Sequence, residues 1–398
     1  MEQQPTLRFQ QFKDSWKVKT IKDLGTIGRG KSRHRPRNDS RLYGVEYPFV
    51  QTSDIRNAGL ILNSFSQAYS EFGLNQSKLW PQGTLCITIA ANIAETSILG
   101  IDACFPDSII GFIPNSQMSN AVFVKIYFEF INPSLQKLSE GVAQSNLNLE
   151  KLSSIEFTVP SLLEQQKIAS FFMLLNRKIE KQKEKIKKME ELNKGMMQKI
   201  FSQEIRFKDE NSGEFPKWEE KLLNEISIIN PKSESINNEF YYIDLDAVNK
   251  GIIKNLKTVF LENAPSRAQR VLKEKDVLFQ TVRPYQQNHF YVKNLYDKQT
   301  VASTGFAQIR TKQNAGYIYF LIYTETFAQK VKDRCTGTSY PAINSGDLGE
   351  ISVPVPSLLE QEKISACLSL IDQKINIEKV KLKMLIIQKK GFMQQMFI

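Results

Sequence analysis

The chain has 398 residues, room for two domains of ordinary size, and 41% of them are hydrophobic, enough for buried cores. Its 53 Lys and Arg against 42 Asp and Glu leave a net charge of +11, which favours a polyanionic partner, nucleic acid first. No apolar run approaches the twenty or so residues of a membrane span, and four scattered cysteines give neither a disulfide framework nor a zinc site. Residues 1–5 lack the basic and apolar regions of a secretory leader, so the expected location is cytoplasmic.

In chain order, the first motif is Gly25-Thr-Ile-Gly-Arg-Gly-Lys-Ser32, which satisfies the phosphate-loop pattern GxxxxGK[ST]. That mechanism needs a buried strand before the loop and a helix opening at its end, whereas Arg33-His-Arg-Pro-Arg-Asn38 follows. The expectation is therefore an electrostatic loop and not a nucleotide site. Arg29, Lys31, Arg33, His34, Arg35, Arg37 and Arg41 are candidate DNA contacts, to phosphates or to guanine edges. A plain solvated basic loop is the alternative.

Thr84–Ile89 reads as a strand, followed by a polar loop in which Asn92 is a candidate contact. Val122–Leu138 reads as a helix. In the second half, Arg267 and Arg270 are further DNA candidates, and Val277–Val282 reads as a strand. The strand leads into Arg283-Pro-Tyr-Gln-Gln-Asn288. Arg283 suits guanine and Gln286, Gln287 and Asn288 suit adenine edges, with Tyr285 beside them. Phe290–Val292 reads as another strand and Tyr317–Val331 as a helix. Two histidines and no nucleophile–base cluster argue for binding without catalysis, and Asn132-Pro-Ser134 falls short of an amino-methyltransferase motif.

The most informative feature is a repeat. Residues 160–201 recur at 356–397, 196 positions on and without a gap, with 19 of 42 residues identical. Ile168, Phe172, Leu175, Ile179, Gln182, Ile186, Met189, Asn193, Met196 and Ile200 follow the alternating four–three steps of a coiled-coil seam, and the second copy repeats the steps. Each helix would be about 60 Å long. Ser161-x-x-Glu164 and Ser357-x-x-Glu360 read as capping boxes. Antiparallel pairing would set Gln182 on Lys389 and Asn193 on Glu378, compatible polar layers that fix register. The preceding segments are related more weakly, as in Pro48–Ile55 beside Tyr242–Ala247 and Gly111-Phe-Ile113 beside Gly305-Phe-Ala307. The expected fold class is α+β: two mixed α/β domains (1–159 and 206–355) and two long helices (160–205 and 356–398). The helices would form an antiparallel coiled coil with pseudo-twofold symmetry.

This pattern resembles the specificity subunit of type I restriction–modification systems. The resemblance rests on Pro160-Ser-Leu-Leu-Glu-Gln165 and Pro356-Ser-Leu-Leu-Glu-Gln361, each followed by Lys-Ile, on Gly141-Val-Ala-Gln-Ser-Asn-Leu147, and on Val282-Arg-Pro-Tyr285. In the second half Thr336–Pro341 departs from the Gln-Ser-Asn-Leu wording. The resemblance implies a non-enzymatic subunit that binds double-stranded DNA, each domain reading one half of a split site, with the helices as a ruler between them. It further implies docking of two modification (methyltransferase) subunits, for which Leu162, Leu163, Gln165, Leu358, Leu359 and Gln361 are the candidates, and later of restriction subunits. No cofactor is expected on this chain. S-adenosylmethionine and ATP would sit on the partners. The competing reading is a scaffolding protein with two binding domains on a coiled coil and no DNA.

Overall fold

The computed structural model describes residues 4–90, 93–140, 147–337 and 339–397. They form two compact units: residues 1–184 with 380–398, and residues 185–379. Both long helices, Leu162–Phe201 and Leu358–Met396, are therefore shared, each giving one stretch to each unit.

In the first unit the strands are β1 (Lys17–Thr20), β2 (Gly25–Arg29), β3 (Tyr43–Phe49), β4 (Ile61–Leu62), β5 (Gln67–Tyr69), β6 (Leu79–Trp80), β7 (Leu85–Thr88), β8 (Thr96–Leu99), β9 (Ala103–Cys104), β10 (Ile109–Pro114) and β11 (Glu156–Val159). They make a five-stranded sheet in the order β2-β10-β7-β8-β4, a four-stranded sheet β5-β3-β9-β6, and the pair β1-β11. The strands of the second unit are β12 (Glu219–Leu222), β13 (Ser227–Ile229), β14 (Glu239–Ile243), β15 (Val248–Asn249), β16 (Ile252–Ile253), β17 (Lys257–Phe260), β18 (Ala268–Val271), β19 (Val277–Gln280), β20 (Phe290–Tyr291), β21 (Thr300–Ser303), β22 (Phe306–Thr311) and β23 (Ser352–Val355). Their sheets are β13-β22-β19-β20, β17-β14-β21-β18, β12-β23 and β15-β16.

The two topologies match. β12-β23 repeats β1-β11, β13-β22-β19 repeats β2-β10-β7, and the parallel pair β14-β21 repeats β3-β9. The central strands are buried on both faces, and the strand period of two divides their side chains between two cores. Leu85 and Ile87 of β7 enter the core beneath the helices, while Cys86 enters the one with Trp80 and Phe105. In β19, Val277 and Phe279 take the helix side and Leu278 the other. Strand pairing also corrects one alignment. Gly111 lies inside β10 opposite Gly28, whereas Gly305 lies in the turn before β22, so the two glycines are not equivalent. The stretch read as one helix over Tyr317–Val331 is two, Ala315–Leu321 and Glu325–Lys332, because Thr324 caps a new start by accepting from the Phe327 amide.

The repeated Pro-Ser-Leu-Leu-Glu-Gln segment fastens each helix to its domain. Glu164, 1% exposed, accepts a two-pronged bond from Arg8, with both N···O distances 2.8 Å. Glu360, 0% exposed, accepts from Arg206 at 3.2 and 2.8 Å and from the Trp218 indole at 3.0 Å. The expected capping boxes thus form only by half. Ser161 and Ser357 accept from the Glu164 and Glu360 amides, both at 3.4 Å, but the carboxylates turn to the arginines. Gln165 and Gln361 are buried too. Each accepts from an asparagine amide, Asn120 at 3.1 Å or Asn314 at 3.0 Å, and donates back to Pro160 or Pro356. The far ends of the helices complete the cores. Phe397 packs among Trp16, Phe123 and Phe172 in the first unit, and Phe201 against Trp218 and Tyr317 in the second.

Within each unit the helix stretches run antiparallel, as the polar seam suggests, but in another register. In the second unit Asn193 donates to Asp372 at 2.9 Å and Lys185 pairs with Glu378 at 3.0 Å. In the first, Phe171 meets Phe392, and Lys389 bonds Glu129 of the helix Ala121–Glu140. The expected partners, Gln182 with Lys389 and Asn193 with Glu378, are therefore overturned by a slip of about one heptad. Periodicity does not see such a slip, since it moves every seam residue onto another seam residue. The apolar layers decide it.

Two outcomes follow for this architecture. Arg206→Met strands a fully buried carboxylate and should cost about 3 kcal/mol of unfolding free energy, measured by denaturant titration. Adding Glu360→Gln should recover most of it, and failure of that recovery would show the pair has no common role. In a background with Cys335 and Cys367 replaced by Ser, cysteines at 193 and 372 should crosslink readily, and those at 193 and 378 should not.

Candidate DNA interface

In the first unit the basic stretch leaves the edge strand β2 and opens no α-helix, only the 3-10 turn Ser40–Leu42 at its far end. Gly30 N–H donates to Ile109 O at 2.9 Å and Lys31 N–H to Phe105 O at 3.1 Å. These are the amides a phosphate loop would turn on its ligand, and here the fold consumes them. A Cβ on Gly30 would lie 2.3 Å from Pro106 O, so glycine there answers strand packing.

The cations of this stretch, alike in sequence, differ in structure. Arg37 pairs with Asp107 at 2.9 Å, and Arg29 donates to the Asp107 carbonyl. Arg41 and His34 both bond Asp39, each at 2.8 Å, and the Arg41 hydrogen bonds hold that carboxyl well below its usual range. Arg35 folds onto its own backbone at Ser32 and His34. Lys31 and Arg33 are exposed and without side-chain partners among the described residues, so they are the free charges. Asn92 lies outside the described residues, as does Gly141–Asn146 of the motif ending at Leu147.

In the second unit the loop after β19 is held from beneath by Gln280, 2% exposed. Its amide donates to Val282 O and to Gln286 Oε1, both at 2.8 Å, and its oxygen accepts from Asn288 N–H at 3.0 Å. Arg283 takes a left-handed turn (φ +52°), donates its N–H to Pro341 O at 2.8 Å, and lays its guanidinium over Tyr340, 4.4 Å from the ring centre. Gln287 is left-handed as well (φ +54°). Tyr285 projects with 67% exposure, and Asn288 accepts from Lys250 N–H. His289 is wholly buried, stacked on Phe279, and accepts from Gln280 N–H. Burial brings its pKa down to about 3, so it is a neutral structural base.

Thr304 N–H donates to Arg267 O and Thr281 N–H to Gly305 O, which brings exposed Arg267 to the same edge as the loop. Arg270 belongs elsewhere. Its Nε is buried in β18 without a partner among the described residues and burial lowers its pKa, so its guanidinium is only partly exposed. Of the partner candidates, Leu163, Leu358 and Leu359 are exposed, whereas Gln165 and Gln361 are interior fasteners and present nothing to a partner. Gln280 and Tyr340 were not singled out by sequence. The available signal was one amide closing the otherwise apolar strand Val-Leu-Phe-Gln.

This geometry is that of a DNA-recognition protein built twice. The family of the type I restriction modification DNA specificity domain matches residues 13–191 and 198–386, and the chain belongs to it. It is a DNA-specificity subunit of the type I restriction–modification class, and not itself the catalyst. Similar proteins include the type I restriction enzyme MjaVIII specificity subunit of Methanocaldococcus jannaschii, 23% identical over 386 residues, which span 92% of this chain and 88% of that one. The HindI specificity subunit of Haemophilus influenzae is 29% identical over 168 residues, 39% and 35% of the two chains. Among solved structures, the type I S subunit from M. genitalium matches at a TM-score of 0.60 and 16% identity, over 100% of this chain and 99% of that one. A chain of a type I R-M assembly matches at 0.56 and 14%, over 96% and 97%.

Gln280→Ala should leave the core folded, at a cost of about 1–3 kcal/mol, and release the loop. DNA affinity of the assembled complex should fall about tenfold, read by fluorescence anisotropy. Unchanged affinity would remove this loop from the interface.

Proposed function

We propose that each unit reads one part of a bipartite DNA site, the first through Lys31, Arg33 and the aspartate-held Arg37 and Arg41, the second through Arg267 and the loop Arg283–Asn288. The observation that carries this reading is the matched topology with unlike loops. β2–β3 and β13–β14 connect matching strands in the two units, yet Lys31-Ser-Arg-His-Arg-Pro-Arg37 in one stands against Lys232-Ser-Glu-Ser-Ile-Asn-Asn238 in the other, as two readers of different bases require. Free cations beside fixed ones suit phosphate contacts that position and side chains that specify.

The paired helices set the unread spacer. Two modification subunits, bringing S-adenosylmethionine, dock on the helices and helix starts, where Leu163, Leu358 and Leu359 stand exposed. Restriction subunits with ATP join afterwards. All of this takes place in the cytoplasm. Among the described residues no helix is long and apolar enough to cross a membrane.

The test is to co-express the chain with its modification subunit and map adenine methylation across the genome. A split motif with a fixed gap, absent without the chain, is expected. Replacing residues 206–355 by those of a relative should change one half of that motif and leave the other. A change in both halves would refute independent reading.

A further inference from the structure

The second unit contains a cavity of about 900 Å3 lined by both long helices and the recognition domain. Tyr291, Tyr319 and Tyr323 form one wall, with ring centres 5.7 Å and 5.1 Å apart along the series. Gly251 (φ +79°) closes in on this wall. A Cβ there would lie 2.2 Å from the Tyr319 hydroxyl.

Two acceptors face the rings. Asp372 accepts from the Asn193 amide at 2.9 Å, and among the described residues no cation lies within 4.0 Å of it. The Asn193 oxygen is buried and has no hydrogen-bond partner among the described residues. Of the cations lining the cavity, Lys379 pairs with Glu190 at 2.6 Å and Lys194 with Glu325 at 2.8 Å, while Lys293 lies 5.9 Å from the Tyr291 ring, and the charges of Lys293 and Lys379 both reach Asp372. Burial raises the Asp372 pKa against the opposing charges of Lys293 and Lys379, and burial, with the Asp372 charge adding to it, raises those of Tyr319, to about 12, and Tyr323. Among the described residues the carboxylate thus has no direct ion pair, and it lies close to the ring wall.

The chain supplies its own comparison. The first unit has a cavity of about 1090 Å3 lined by the corresponding stretches of the repeat. The residue 196 positions from Asn193 is Lys389, whose ammonium donates to Glu129 at 2.6 Å, with Lys125 on the other carboxylate oxygen. One unit fills this place with an ammonium of its own. The other offers a carboxylate, an orphan carbonyl and aromatic faces, the combination that holds an alkylammonium ion.

We propose that the second unit's cavity binds an alkylammonium group, seated on Asp372 and Asn193 against the rings of Tyr319 and Tyr323. A free aliphatic polyamine and a lysine side chain of a partner subunit carry this same group. The test is calorimetric titration of the whole chain with spermidine at fixed ionic strength, using wild type, Asp372→Asn and Tyr296→Ala. The asparagine keeps an acceptor for the Asn193 amide, and Tyr296 is an exposed lining residue whose ring touches only Tyr241 among the described aromatic contacts. Saturable binding weakened about tenfold by Asp372→Asn, and less by Tyr296→Ala, is expected for a free amine. No spermidine binding, with capture of the modification subunit weakened about tenfold by the same variants, would assign the site to a partner lysine. Spermidine heats and partner capture alike in all three proteins would overturn the proposal. Should Asp372→Asn fail to fold, Tyr296→Ala decides.

Discussion

A carboxylate with almost no exposure, held by one arginine from the preceding segment, anchors each half of this molecule. The Arg8–Glu164 and Arg206–Glu360 pairs stand where a recognition domain gives way to a long helix, and Gln165 and Gln361 complete the fastening with backbone bonds. Burying such a pair adds little net stability, because desolvation offsets most of the attraction. Its effect is on specificity of form. A helix of some 60 Å leaving a domain at a wrong angle would carry its far end many ångströms away. A two-pronged guanidinium–carboxylate bond tolerates little angular error.

That constraint accounts for the uneven divergence along the chain. The fastening residues and the terminal phenylalanines are the same in both copies, while the loops that would face DNA differ at nearly every position. The shared sheet topology supplies one platform, and on it two unlike surfaces are built, one of arginines held by aspartates and one of amides held by Gln280.

Much of the fold was legible in the residues. The repeat located both helices to within a few positions, and the failure of the Gly25–Ser32 motif as a phosphate site followed from its polar flanks. The seam register was not legible, because a heptad repeat is degenerate under a seven-residue slip, and Phe171 with Phe392 and Asn193 with Asp372 settle it through packing. In the basic stretch, sequence could count cations but could not see that the carboxylates of Asp39 and Asp107 take three of its side chains. The partial burial of Arg270 and the anchoring role of Gln280 escaped the sequence for one reason. Exposure in a short strand depends on its sheet neighbours, which lie far away along the chain.

The division of the helices bears on the order in which the protein is made. The second unit is contiguous, residues 185–379, and every side chain of its main core has been synthesised before Val380 is added. The first unit draws Met393, Met396 and Phe397 into its core, and Leu7 N–H donates to Gln395 O at 2.9 Å. Its earliest residues must therefore wait, partly unpacked, for the latest ones. The half synthesised second is the half able to finish folding first, an inversion of the usual N-to-C sequence of domain folding during translation.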